Sequence, residues 1–311
     1  MPVSVLSFDT FPSFIVDKLN ANFDFNCIDK NDAAALAALA PKVRALVAKG
    51  ETVINDALMA RLPNLEIIAL CSVGYDGIDV AAARRRGIPV TNTPGVLTDD
   101  VADLAIALML GVARRVVAAD QHVRSGAWSR GAFPLNRKVS GSRLGIVGLG
   151  RIGQAIAKRA EAFGMSIAYT ARGRKADLPY TFYPNAQALA KDVDFLIVST
   201  PGGAETRGMI NAAVLDALGP DGYLINVARG SVVDEPALVA ALQEKRIAGA
   251  GLDVFVDEPN VPAALLAMDN VVLAPHMGSG TVQTRTAMGD LACANLLAHF
   301  SGKALLTPVL A

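Results

Sequence analysis

The sequence predicts an α/β fold with two open parallel sheets wound by helices. Three observations carry that expectation. Short apolar runs alternate with helical patterns along the chain, as β-α-β units require. At 311 residues, 52% of them hydrophobic and 19% charged, the chain is long enough for two domains of ordinary size. The stretch GIVGLGRIG at residues 145–153 places Gly148, Gly150 and Gly153 in a G-x-G-x-x-G spacing between a strand pattern and a helical one.

The first series runs VSVLSF, PSFIVDKLN, KVRALVAK, NDALMARL, LEIIALCSVG, IDVAAARRRG and IPVTNT, and predicts an open α/β unit. The segment from Thr98 to Val123 joins it to a second series. Its TDD start supplies a cap and an acidic first turn, and its ten-residue apolar run Leu104 to Ala113 reads as a buried helix. That run falls short of the roughly 20 residues needed to span a bilayer. The second series begins at Ser142. It contains the strand patterns RLGIVG, SIAYTA, DFLIVST, YLINVA, GAGLDVF and VVLAPH, with helices over 152–162, 211–218 and 235–244, and so predicts a complete doubly wound sheet. A last helix, Thr281 to Phe300, is long enough to return to the first unit. The expected division is therefore a discontinuous unit of residues 1–98 and 286–311, and a second of residues 99–285.

Lys and Arg total 29, as do Asp and Glu, so no net field favours nucleic acid or an anionic membrane, and a small-molecule ligand is expected. The start MPVSVLSFD has no basic stretch ahead of an apolar one and reads as a first strand, which predicts a cytoplasmic chain. Cys27, Cys71 and Cys293 lack C-x-x-C spacing; they read as reduced core thiols, with no zinc site and no disulfide framework.

The glycine spacing gains meaning from its surroundings. RLGIV precedes it and QAIAKRAEAFG follows it, so the first glycine permits a tight turn, the second lets backbone approach a pyrophosphate, and the third lets helix and strand pack closely. The stretch reads as a Rossmann-type dinucleotide loop, with a structural glycine turn as the plain alternative. The next strand ends at Thr170, where users of NAD carry an acid for the ribose 2′-hydroxyl. Here Arg172, Arg174 and Lys175 follow instead, a cation cluster suited to the 2′-phosphate of NADP. A solvated surface loop is the plain alternative.

Three chemistry-bearing residues stand just past strand patterns, where a parallel sheet forms its ligand crevice: Arg229 in NVARG, Glu258 in VFVDEP and His276 in LAPHMGSG. A carboxylate on one imidazole nitrogen would hold the ring and favour its protonated form, leaving the other nitrogen to give a proton to a substrate oxygen. Arg229 could fork onto a carboxylate and a carbonyl oxygen. His122 and His299 lie on helical stretches without such company and read as structural. In the first series, Val73 and Gly74 follow a strand and could offer amides to a carboxylate; a simple strand-to-helix turn is an equal reading.

The runs SVGYDGID, NTPGVLTDDVADLAIALML, GIVGLGRIGQAIAKRA, INVARGSVVDE, GLDVFVDEP and LAPHMGSGT together resemble the D-2-hydroxyacid dehydrogenases, in particular their glyoxylate and hydroxypyruvate reductase branch, over nearly the whole chain. The resemblance implies a Rossmann cofactor domain, a smaller flavodoxin-like substrate domain and a cleft between them. It implies Arg229, Glu258 and His276 as catalytic residues, and Val73 and Gly74, with Arg229 and His276, as substrate binders. Cofactor contacts are implied for Thr98, Gly148, Gly150, Arg151, Ile152, Gly153, Thr170, Arg172, Arg174, Lys175, Thr200, Pro201, Val227, Ala228, Arg229, Asp253, His276 and Gly278. It further implies a homodimer through the cofactor domains and NADP(H) as preferred cofactor, with NAD(H) as an alternative. The chain departs from the family at Gly77, where His or Asn is common. Trp128 reads either as an interface anchor or as an aromatic reaching a partner's site. The function expected is NADPH-dependent reduction of small 2-oxo acids. Reduction of bulkier ones such as hydroxyphenylpyruvate, or a dinucleotide-sensing co-repressor role, are the rivals.

Overall fold

A computed structural model describes residues 2–309. Two compact units emerge, Met1–Leu97 together with Ser279–Ala311, and Thr98–Gly278. The chain leaves the second unit at Gly278, several residues before the boundary expected from sequence, because the loop ahead of the last helix already packs with the first unit.

In the first unit the chain runs β1 (Ser4–Ser7), α1 (Ser13–Asn22), β2 (Asp24–Cys27), α2 (Ala33–Leu39), β3 (Val43–Ala48), α3 (Asp56–Ala60), β4 (Ile67–Leu70), α4 (Val80–Arg85) and β5 (Val90–Thr91). The strands pair in parallel in the order β2-β1-β3-β4-β5. Every residue of β1 and β4 is buried, as expected of strands with both faces covered. One face packs Leu6, Leu46 and Ile68, and the other Val5, Val47 and Ile67. Helices α2, α3 and α4 start on Asp32, Asn55 and Asp79, whose side chains each accept an amide three residues on. The sequence reading lacked β2 and α2. The strand DFNC lies at the sheet edge with its ends exposed, so burial imposed no apolar run on it. Its last residue, Cys27, is exposed, unlike the buried Cys71 and Cys293, which corrects the expectation of three core thiols.

In the second unit come α5 (Thr98–Ala113), α6 (Val116–Arg124), β6 (Arg143–Val147), α7 (Arg151–Glu161), β7 (Ser166–Thr170), β8 (Thr181–Phe182), α8 (Ala186–Ala190), β9 (Phe195–Val198), α9 (Ala212–Leu218), β10 (Tyr223–Asn226), α10 (Glu235–Gln243), β11 (Gly249–Leu252), α11 (Ala263–Leu266) and β12 (Val271–Leu273). The parallel order β12-β11-β10-β9-β6-β7-β8 reverses direction between β9 and β6. A doubly wound sheet binds its ligand at such a switch point, beyond the carboxyl ends of the strands. Arg115, left-handed at φ 49°, breaks the joining segment into α5, which is apolar and buried on one side, and α6, which buries no residue. The last helix, α12 (Val282–Phe300), is capped by Thr281 and returns to the first unit, where it packs against α1 and β4. Among the described residues no helix is long and apolar enough to cross a membrane.

Candidate active site

The glycine loop joins β6 to α7, and its three glycines answer different demands. Gly148 has φ 95°, and a Cβ there would lie 2.7 Å from the Thr200 backbone. At Gly153 a Cβ would sit 2.2 Å from the Gly148 carbonyl, so helix and turn touch directly. Around Gly150 a Cβ would meet nothing within 4 Å. Gly150 is also the N-cap of α7 and has no side chain with which to satisfy the first-turn amides. The result is an open cradle of donors, with Arg151 and Ile152 in the first helical turn, at the positive end of a helix dipole. A pyrophosphate fits the donors this loop presents.

Thr170 ends β7 and is buried. Beyond it Arg172 and Arg174 are exposed and Lys175 half-buried, and no carboxylate pairs with any of them among the described residues. The Lys175 amide donates to the Tyr169 hydroxyl at 2.7 Å, which fixes the course of the loop. Of the other expected cofactor residues in this unit, Thr98 opens α5, Thr200 and Pro201 follow β9, and Val227 and Ala228 follow β10 as buried residues.

The acid–base geometry lies past β10, β11 and β12. His276 Nδ1 and Glu258 Oε2 are 2.6 Å apart. Glu258 uses its other oxygen to accept the Phe255 amide at 2.9 Å, so the carboxylate is held at both ends. Burial pushes the Glu258 carboxyl upward. The hydrogen bonds from His276 and Phe255 and the charges of His276 and Arg229 outweigh it and hold the group below its ordinary value. The carboxylate is thus ionised and acts as acceptor for Nδ1, which leaves Nε2 of His276 as the ring nitrogen on the side away from the pair.

Two residues position these groups in ways the sequence reading did not assign. Buried Asn226, the last residue of β10, accepts the Ala228 amide at 3.0 Å and donates to the Arg229 carbonyl at 2.9 Å, pinning the turn that presents Arg229. A buried polar residue closing an apolar strand was the available signal. Asp253, expected as a cofactor contact, accepts the Met277 amide at 2.7 Å and the Gly278 amide at 2.8 Å, while its carbonyl accepts the His276 amide at 2.8 Å. That clamp holds His276 in its left-handed conformation at φ 49°. Burial raises the Asp253 carboxyl above its ordinary value, against the two amides and the nearby His276. Gly230 brings the two loops together, since a Cβ there would fall 2.0 Å from the Phe255 carbonyl group. The Arg229 turn therefore rests directly on the loop that carries Glu258.

Val73 and Gly74 belong to the first unit, just past β4. The Ser72 hydroxyl donates to the Gly74 carbonyl at 2.7 Å and the Asn92 amide to the Val73 carbonyl at 2.8 Å, so both carbonyls are occupied. Gly77 has a local reason: a Cβ would meet the Glu51 and Thr52 backbone at 2.6 Å, and no larger residue fits. His122 lies 3.1 Å from the Gly131 carbonyl and edge-on to Phe133, and His299 packs on Phe300.

Comparison with known proteins decides the family. Residues 106–278, more than half of the chain, match the model described as D-isomer specific 2-hydroxyacid dehydrogenase, NAD binding domain. The chain belongs to the D-2-hydroxyacid dehydrogenase family. It is therefore an oxidoreductase with a nicotinamide-dinucleotide domain. It is similar to a hydroxyphenylpyruvate reductase of Plectranthus scutellarioides, 54% identical over 88% of each chain. It is similar also to a glyoxylate/hydroxypyruvate reductase of Arabidopsis thaliana, 53% identical over 86% of this chain and 85% of that one. The crystal structure of an NADPH-dependent glyoxylate/hydroxypyruvate reductase of Sinorhizobium meliloti in complex with NADP and malonate superimposes with TM-score 0.95, at 49% identity, covering 99% of this chain and 97% of that chain.

Proposed function

We propose that this family member is an NADPH-dependent reductase of small 2-oxo acids, with glyoxylate and hydroxypyruvate as leading substrates. The observation that carries the reading is the His276–Glu258 pair at 2.6 Å, set beside Arg229 past the strands of a dinucleotide-binding sheet. The loop at Gly148, Gly150 and Gly153 would hold the pyrophosphate, and Arg172, Arg174 and Lys175 the 2′-phosphate. A bound reduced nicotinamide supplies a hydride to the oxo carbon. Arg229 binds the acid and steadies the charge gathering on the oxo oxygen, and the amides after β4 at Val73 and Gly74 take the carboxylate. Protonated His276 then gives that oxygen its proton, while ionised Glu258 holds the ring and its charge.

The binding of NADP by a relative superimposable over 99% of this chain supports the cofactor choice, as does the absence of an acid at Thr170. We also infer a homodimer. Among the exposed apolar residues are Val116, Val117 and Val123 of α6, with Trp128 and Leu135 just beyond, and a second copy of the chain would cover them. Three free cysteines fit a reducing cytoplasm.

The test is consumption of reduced nicotinamide, followed by absorbance with each cofactor and a panel of 2-oxo acids. Steady NADPH oxidation with glyoxylate is expected, and none with any oxo acid would end the proposal. Replacing Arg172 and Arg174 together by Ala should raise KM for NADPH at least about tenfold more than KM for NADH.

A further inference from the structure

A cavity lies wholly within the first unit. It has a volume of about 210 Å³ and combines apolar walls, from Phe11, Ile15 and Met288, with two cations, Lys49 and Arg285. Phe11 follows β1, Lys49 follows β3, and buried Cys71, also in the lining, follows β4. In the order β2-β1-β3-β4-β5 the winding reverses between β1 and β3. The cavity thus occupies the position where a sheet of this order takes its ligand.

The cations of this cavity lack the carboxylate partners that several surface arginines have. On the surface, Arg44, Arg86, Arg143, Arg159 and Arg246 each carry a carboxylate partner. Lys49 and Arg285 are half-buried, and neither meets a carboxylate among the described residues. Arg285 commits only Nε, to the Ser279 carbonyl at 3.1 Å, leaving its terminal nitrogens for something else. The carboxylate of Asp9 accepts the Lys49 backbone amide at 2.8 Å and the Thr52 hydroxyl at 2.6 Å, and makes no contact with the ammonium. Cys71 is no counterion either, since burial pushes its thiol up to about 12. None of the residues lining the cavity is a carboxylate, so a bound anion would offset the two positive charges that face it.

The cavity is also coupled to the carboxylate loop. A Cβ on Gly50 would fall 1.9 Å from the Gly74 carbonyl oxygen, so the turn that carries Lys49 rests on Gly74. Cys71 is separated from Val73 by Ser72 alone.

We propose that Lys49 and Arg285 form a subsite for a second anionic group, a carboxylate or phosphate, at the end of the substrate remote from its oxo acid. The preferred 2-oxo acids then extend beyond glyoxylate to dianionic ones. The inference rests on the reading of Val73 and Gly74 as holders of the oxo-acid carboxylate.

The experiment measures kcat/KM with NADPH for 2-oxoglutarate against 2-oxohexanoate, and for phosphohydroxypyruvate against hydroxypyruvate, with glyoxylate as reference. The intact protein is expected to favour the dianion of at least one pair by about tenfold or more. Whichever pair shows it names the group. Lys49→Met should abolish that preference, lowering the dianion at least about tenfold more than glyoxylate, and Lys49→Arg should retain it. Glyoxylate reduction with no preference in either pair, or equal losses on all substrates in Lys49→Met, overturns the subsite and leaves the proposed reductase standing. Failure to reduce any oxo acid overturns both.

Discussion

The molecule contains the same residue pair twice, and the two copies differ in every respect that matters. Glu66 and His299, in the first unit, approach to 3.6 Å. Glu66 is already taken by Arg44, which reaches both carboxylate oxygens, and that bond is the largest cause of its lowered pKa. Glu258 and His276, in the second, stand at 2.6 Å, and the remaining oxygen of Glu258 meets a backbone amide, not a cation. A carboxylate shared with a guanidinium has little left to orient an imidazole, whereas one fixed by an amide keeps its charge for the ring. The pairing of residue types therefore says little; what else the carboxylate holds decides whether a histidine is prepared for proton transfer.

The largest effect expected from breaking that contrast is in turnover. His276→Ala should lower kcat about a hundredfold or more, while His299→Ala should change it less than about twofold, by steady-state assay of both variants. Equal effects would dissolve the distinction.

Glu258→Gln should lower kcat by about tenfold, because the amide cannot counter a charged ring. It should also change the pH dependence of stability. The Glu258 pKa is depressed on folding, so its contribution is full above the unfolded value of about 4.5 and fades as pH falls through the folded one. Thermal melts should show the wild-type advantage over Glu258→Gln holding down to about pH 4.5 and shrinking as pH falls below it. A constant difference would mean that the carboxylate gains nothing from its partners.

The smallest effect is at the surface pair. Arg44→Ala should cost less than about 1 kcal/mol by denaturant titration, and less still in high salt, since both side chains are well exposed.

Much of this was readable in the residues. Both series of strands, the glycine loop and the positions of Arg229, Glu258 and His276 follow from buried apolar runs ending in polar residues, because a parallel sheet covered on both faces writes its strands that plainly. Strand β2 and two-residue β8 were not, as each lies at a sheet edge where neither face is fully covered. The break at Arg115 was hidden because no glycine, asparagine or proline stands at the break to announce a left-handed residue. Nor does sequence spacing reveal that Asn226 and Asp253 turn inward upon backbone amides. Those bonds depend on where separate loops meet, as does the need for glycine at 230, which the Phe255 backbone imposes.

The middle glycine of the dinucleotide loop carries a different kind of information. Its two companions are demanded by the polypeptide, one by a turn no side chain tolerates and the other by a neighbouring carbonyl. Gly150 sits at φ −77° with empty space before it, so self-assembly of the chain would accept alanine there. A melting curve would be blind to that exchange, and a titration with dinucleotide would not: the vacant volume of one methyl group belongs to the guest and not to the host.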